Sequence, residues 1–164
     1  MSAQLAYRYS TPIGAAGEIV DLAPYAIDTF KNEEENGDMT FGIAVVQGTD
    51  VGVQIKKPVS GSTAAVFEGI ATNNFTTEYD LDGHIRILKG APVGVMRYGR
   101  IYGRVADGVT PAYGDPVYFI KTGTEAGYFT TSSSGTVAVK GRFLGSVDAA
   151  NRVAEIELFN QTQA

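Results

Sequence analysis

Residues 89–121, KGAPVGVMRYGRIYGRVADGVTPAYGDPVYFIK, leave this chain few folds to choose from. From residue 97 to 105 the side chains fall into two sets of period two. Arg97, Gly99, Ile101, Gly103 and Val105 form one set, and Tyr98, Arg100, Tyr102 and Arg104 the other. Such alternation sends successive side chains to opposite faces of a sheet. One face is therefore small and aliphatic, the other tyrosine and arginine. Val93 and Val95 alternate with small residues just before. Asp107-Gly108 and Gly114-Asp115-Pro116 bracket a connection, and Val117-Tyr118-Phe119-Ile120 opens a new strand. The stretch is the central ribbon of an all-β chain, either a core element or a binding face.

The same punctuation recurs elsewhere. Residues 25–32, 41–46, 51–55, 65–71, 84–88, 128–131, 137–143 and 152–159 read as strands, with Val51, Val53 and Ile55 expected on one face. Asn36-Gly37 supplies residues that tolerate the positive φ of hairpin turns. Glycine makes up 20 of 164 residues, about 12% against an average of roughly 7%, and is scattered between short apolar runs rather than clustered. No stretch supports an amphipathic helix longer than two turns. About ten short strands, with turn signals roughly every ten residues, predict a single β-sandwich or barrel-like domain over residues 25–164.

Residues 1–24, MSAQLAYRYSTPIGAAGEIVDLAP, read as an extended N-terminal arm. Pro12 and the glycines at 14 and 17 oppose a helix. Yet Leu5, Tyr7, Tyr9, Ile13 and Ile19 are more than a solvated tail needs. The arm either packs on its own domain or docks on a neighbouring subunit.

Catalytic chemistry has little to work with. Cysteine is absent and His84 is the sole histidine, which closes the usual zinc ligand sets. No Gly-x-Ser-x-Gly elbow is present to offer a nucleophile. Residues 14–17 lack the Gly-Lys-Ser/Thr ending of a phosphate loop. Asp80-Leu81-Asp82-Gly83 resembles part of a calcium loop, but its twelfth position is Ala91 rather than glutamate. The expectation is no enzyme, no cofactor and no metal. Aliphatic runs such as Ile43-Ala44-Val45-Val46 fall far short of the roughly 20 residues of a bilayer span, and no basic region precedes an apolar core at the N-terminus. Neither a membrane protein nor a secretory signal is expected.

Charge is distributed unevenly. The chain carries a net charge of -5 and a pI of about 4.8, which argues against a general nucleic-acid binder. From residue 84 to 106, however, five cations (Arg86, Lys89, Arg97, Arg100 and Arg104) meet no acid. Tyr98 and Tyr102 are interleaved with them. Tyrosine and arginine are enriched at interface hot spots. These arginines either cover the sheet with their stems and pair with acidic loops, or face a partner. In an oligomer, Arg97, Tyr98, Arg100, Tyr102 and Arg104 would meet the acidic loop of a neighbour, which includes Glu33, Glu34 and Glu35.

By the order of its motifs the chain resembles the phage capsid decoration proteins, or structural cement proteins. The matching pieces are the arm leading into residues 17–21 (GEIVD), then 41–49 (FGIAVVQGT), then 67–71 (FEGIA). Tyr79 leading to residues 85–90 (IRILKG), 93–95 (VGV) and 114–118 (GDPVY) follow. The resemblance implies a virion protein, made in the host cytoplasm, on the outside of an icosahedral head. It implies homotrimers that clamp adjoining major capsid subunits, without catalytic residues or direct nucleic-acid contact. The arm, through Tyr7, Tyr9, Pro12, Ile13 and Ile19, would reach along a capsid protein or a neighbouring protomer. Two other classes stay open. One is a single-strand nucleic-acid-binding barrel using the Tyr98–Arg104 face. The other is a receptor- or glycan-binding sandwich, weakened by the absence of tryptophan as a stacking platform.

Overall fold

The computed structural model describes residues 14–35, 37–73 and 87–160. Among these residues nine strands form one sheet: β1 (Ala26–Asn32), β2 (Ala44–Gln47), β3 (Gln54–Lys56), β4 (Phe67–Ala71), β5 (Pro92–Arg104), β6 (Pro116–Ile120), β7 (Phe129–Thr130), β8 (Thr136–Phe143) and β9 (Val153–Leu158). Their order is β1-β3-β2-β4-β5-β9-β8-β6-β7, and β1 also pairs with β5. That extra pairing closes β1, β3, β2, β4 and β5 into a barrel. The all-β expectation holds.

The central ribbon is the hinge of this architecture. β5 has 13 residues and so reaches about 43 Å. Its first half closes the barrel against β1, from Lys31 opposite Pro92 to Ala26 opposite Tyr98. Its second half pairs with β9, from Gly99 opposite Leu158 to Arg104 opposite Val153. The outer strands then curl back, and a bridge joins Val105 to Phe129.

Among the described residues two buried clusters result. Phe30, Val45, Ile55, Ala71, Val93 and Val95 fill the barrel. Ala44, Ile70, Met96, Ile101, Phe119, Phe129, Ile156 and Leu158 lie in the second cluster. Neighbours such as Val45 and Ala44, or Val95 and Met96, point into different clusters. These strands are walls between two cores, which is why their sequences are apolar runs rather than alternations.

Three strand expectations change. The alternation at residues 51–55 yields only β3, with Val51 and Val53 exposed at 67% and 41%. The backbone amides of Val53 and Gln54 both donate to the Asp50 carbonyl, closing a tight turn that the short pattern could not reveal. Residues 65–71 begin with a single 3-10 turn, Ala64–Val66, before β4. Of the expected strand at residues 84–88, His84, Ile85 and Arg86 lie outside the described residues. Ile87 and Leu88 are not in a strand, although Ile87 is buried. Among the described residues no helix is long and apolar enough to cross a membrane.

Candidate interaction surface

The arginines of β5 are engaged within the chain. Pairing with β9 sets Arg100 opposite Glu157 and Tyr102 opposite Glu155. Arg100 also meets Asp21 at 3.0 Å, and that carboxylate is the main reason its guanidinium is held above its ordinary pKa. Glu157 is shared with Arg142 at 2.6 Å, and Arg142 lies over the Tyr113 ring. Arg97 bridges Asp28 at 3.1 Å and Glu68 at 2.9 Å. The Arg104 Nε donates to the Phe41 carbonyl. The face is therefore a lattice of ion pairs, each half-exposed pair contributing about 1 kcal/mol or less. Tyr98 stays exposed at its edge.

Tyr102 shares this face yet is 7% exposed. Residues 14–20 cover it. The Gly17 amide donates to the Tyr102 carbonyl, the Tyr102 amide to the Glu18 carbonyl, and the Val20 amide to the Arg100 carbonyl. Ile19 forms a bridge with Ile101 and remains 37% exposed. A Cβ on Gly14 would sit 2.6 Å from the Tyr102 ring, so this approach requires glycine. Burial, then the nearby Glu155 carboxylate, raises the phenol pKa. Tyr102→Ala is expected to release residues 14–20 at a cost of roughly 3 kcal/mol. Limited proteolysis near Gly17 would read this out. Tyr102→Phe, which removes the hydroxyl's 3.4 Å contact to Glu155 and its hydrogen bond with the Gly14 backbone, should cost only about 1 kcal/mol. Tyr7, Tyr9, Pro12 and Ile13 lie outside the described residues.

The acidic turn after β1 is a clamp rather than a bare charge cluster. Glu33 accepts the Thr49 amide at 2.5 Å and its hydroxyl at 2.7 Å. Glu34 accepts the Lys57 amide at 2.7 Å, and Glu35 pairs with Lys89 at 2.6 Å. Three carboxylates thus hold three loops, and none of them pairs with the β5 arginines of its own chain. The Thr49 hydroxyl and amide lower the Glu33 pKa below its ordinary 4.5. A depressed carboxylate stabilises the fold above its unfolded pKa, and that stability is lost as pH falls through the folded value. The Thr49 amide resonance is therefore expected to titrate with a midpoint below 4.5, and to stop doing so in Glu33→Gln.

The partners Asp21, Asp28, Glu68 and Glu157 were not singled out by the sequence. The acidic face of residues 152–159 was visible as an alternation, but its register against β5 was not. Among the described residues no group of three or more His, Cys, Asp or Glu could hold a metal ion. A shallow polar cleft of about 560 Å³ lies between Lys57 and Lys121.

Comparison with known proteins identifies the scaffold. A family model described as "Structural cement protein (E217 gp24/Pam3 gp6)" matches residues 3–159. A chain from "The capsid of Myoviridae Phage XM1" shares the fold, with a TM-score of 0.72 at 23% identity, covering 99% of this chain and 100% of that one. No curated protein matches. The motif order along the sequence, the barrel built on β5 and a family match running nearly end to end converge: this chain belongs to the phage structural cement protein family.

Proposed function

We propose that this capsid cement protein works as a homotrimer on the outer surface of an icosahedral head, tying adjoining major capsid subunits together. The observation that carries the reading is the anchoring of residues 14–20, the described part of the arm of residues 1–24 that lies along β5 of the 25–164 domain. Tyr7, Tyr9, Pro12, Ile13 and Ile19 are its contact residues toward capsid or protomer. An arm adds contact area at the cost of ordering entropy. Arg97, Tyr98, Arg100 and Arg104 form the rigid face behind it, with Glu33, Glu34 and Glu35 as their counterparts on a neighbour, while Tyr102 supports that face from beneath residues 14–20.

The role calls for no catalysis and no nucleic acid. The intramolecular pairing of Arg97, Arg100 and Arg142 supports that choice, because a phosphate backbone would have to displace the carboxylates already bound. Removing residues 1–13 leaves the anchored segment in place. It is expected to lower occupancy on expanded, undecorated capsids at least tenfold. Unchanged occupancy would remove the arm from the contact. The Arg100→Glu, Arg104→Glu pair separates the face from the arm: retained oligomeric state and capsid binding would mean that the face makes no contact.

A further inference from the structure

The barrel has an open edge. In β1, Thr29 lies opposite Gly94 and Ile27 opposite Met96. The Gly94 carbonyl accepts the Thr72 amide, on the β4 side of β5. Thr29 therefore turns its own amide and carbonyl away from β5, and Ile27, two residues earlier, does the same. Two residues later the Lys31 amide finds the Val53 carbonyl, and β3 covers β1 only at Lys31 and Asn32. Ile27 and Thr29 have no backbone partner on that side among the described residues. Exposed Tyr25 and Val53 bracket the gap. An unpaired edge of this kind is a template for an added strand.

We infer that this edge receives residues 5–9 of a second copy. Leu5, Tyr7 and Tyr9 alternate with Ala6 and Arg8, the pattern of a strand with one apolar face. With Arg8 beside Asp28, the tyrosines flank Ile27 and Thr29 whichever way the added strand runs. Asp28 is half exposed and already attracts Arg97. Two β1 edges pairing with each other would set Asp28 against its like, which is unfavourable.

The chain's own segment cannot fill the gap. Residues 17–20 run antiparallel to β5, a turn closes between Ala15 and Glu18, and Gly14 packs on Tyr102, in the half of β5 that pairs with β9 rather than β1. From Gly14, packed on Tyr102, to Arg8 the chain spans at most about 21 Å. From Tyr102 to Val95, the partner of Asp28, is already about 23 Å along β5, with about 10 Å more across the strands. This contact rests on the oligomeric part of the reading above and not on capsid binding.

The chain lacks cysteine, so a designed disulfide is the sole one that can form. Arg8→Cys and Asp28→Cys chains, each checked for a native circular dichroism spectrum, are mixed in equal amounts and oxidised. The expected product is a heterodimer linked through positions 8 and 28, identified by peptide mass. Absence of that product overturns the inference, as does an internal disulfide in the doubly substituted chain. Amide exchange at Ile27 and Thr29 in the unsubstituted protein should be at least tenfold slower than in the chain lacking residues 1–13; equal rates overturn it too. Both readouts use free protein, so their failure is distinguishable from failure to bind a head.

Discussion

Gly69→Ala is expected to cost more than about 4 kcal/mol, a large share of the 5–15 kcal/mol that holds a typical domain together. Gly69 sits in the middle of β4 with φ +149, a conformation that side chains rarely adopt. Strain of that kind costs roughly 1–3 kcal/mol. Steric overlap adds the greater part. An added Cβ would overlap the Met96 carbonyl, a backbone atom of β5, and touch the Val95 side chain at 2.8 Å. Backbone cannot rotate aside, so β4 and β5 would have to separate. Both cores meet at this wall, with Ile70 and Met96 on one side and Ala71 and Val95 on the other. Gly123→Ala is the control: its φ is +87 but nothing lies within 4 Å of the added Cβ. It should cost only about 1–2 kcal/mol. Chemical denaturation of the two variants measures the difference, and equal losses would contradict the wall.

Arg97→Ala is expected to cost about 2–3 kcal/mol, much more than an ordinary surface substitution. Glu68 is 5% exposed and pairs with Arg97 at 2.9 Å. Removing the guanidinium leaves a buried carboxylate without its partner, which costs the desolvation of that charge. Arg97 is itself well exposed, which holds the figure below that of a fully buried pair. Glu68→Gln in the Arg97→Ala background should recover at least half of the loss. A double-mutant cycle in denaturant reads the coupling directly. A coupling near zero would mean that Glu68 is satisfied without Arg97.

These two sites show what the sequence could and could not carry. The alternation of Ile101 and Val105 against Arg100 and Arg104 follows from period two, and it survives from the end of β5 into the Val105 bridge. The strand at residues 41–46 was legible as apolar, but a run of apolar residues does not say that Ala44 and Val45 serve different cores. Register was out of reach, because it depends on which residue meets which across distant segments. Hence Glu68 and Glu157 could not be named as arginine partners. Tyr102 was expected on an outer face and does lie beside the arginines, but residues 14–18 cover it. Glycines at 14 and 17 signalled a break in helix; that they allow close packing on β5 appears only with the fold. Val51 and Val53 mimicked a strand because a turn closing on Asp50 happens to alternate.

The cement role is tested most directly on heads assembled without this protein. Purified chain is titrated onto expanded heads, and the temperature at which they release DNA is followed by dye fluorescence. Saturable binding with a fixed number of copies per head, and release shifted to higher temperature at saturation, is the expected result. Binding that never saturates, or saturates without moving the release temperature, would contradict a cementing function.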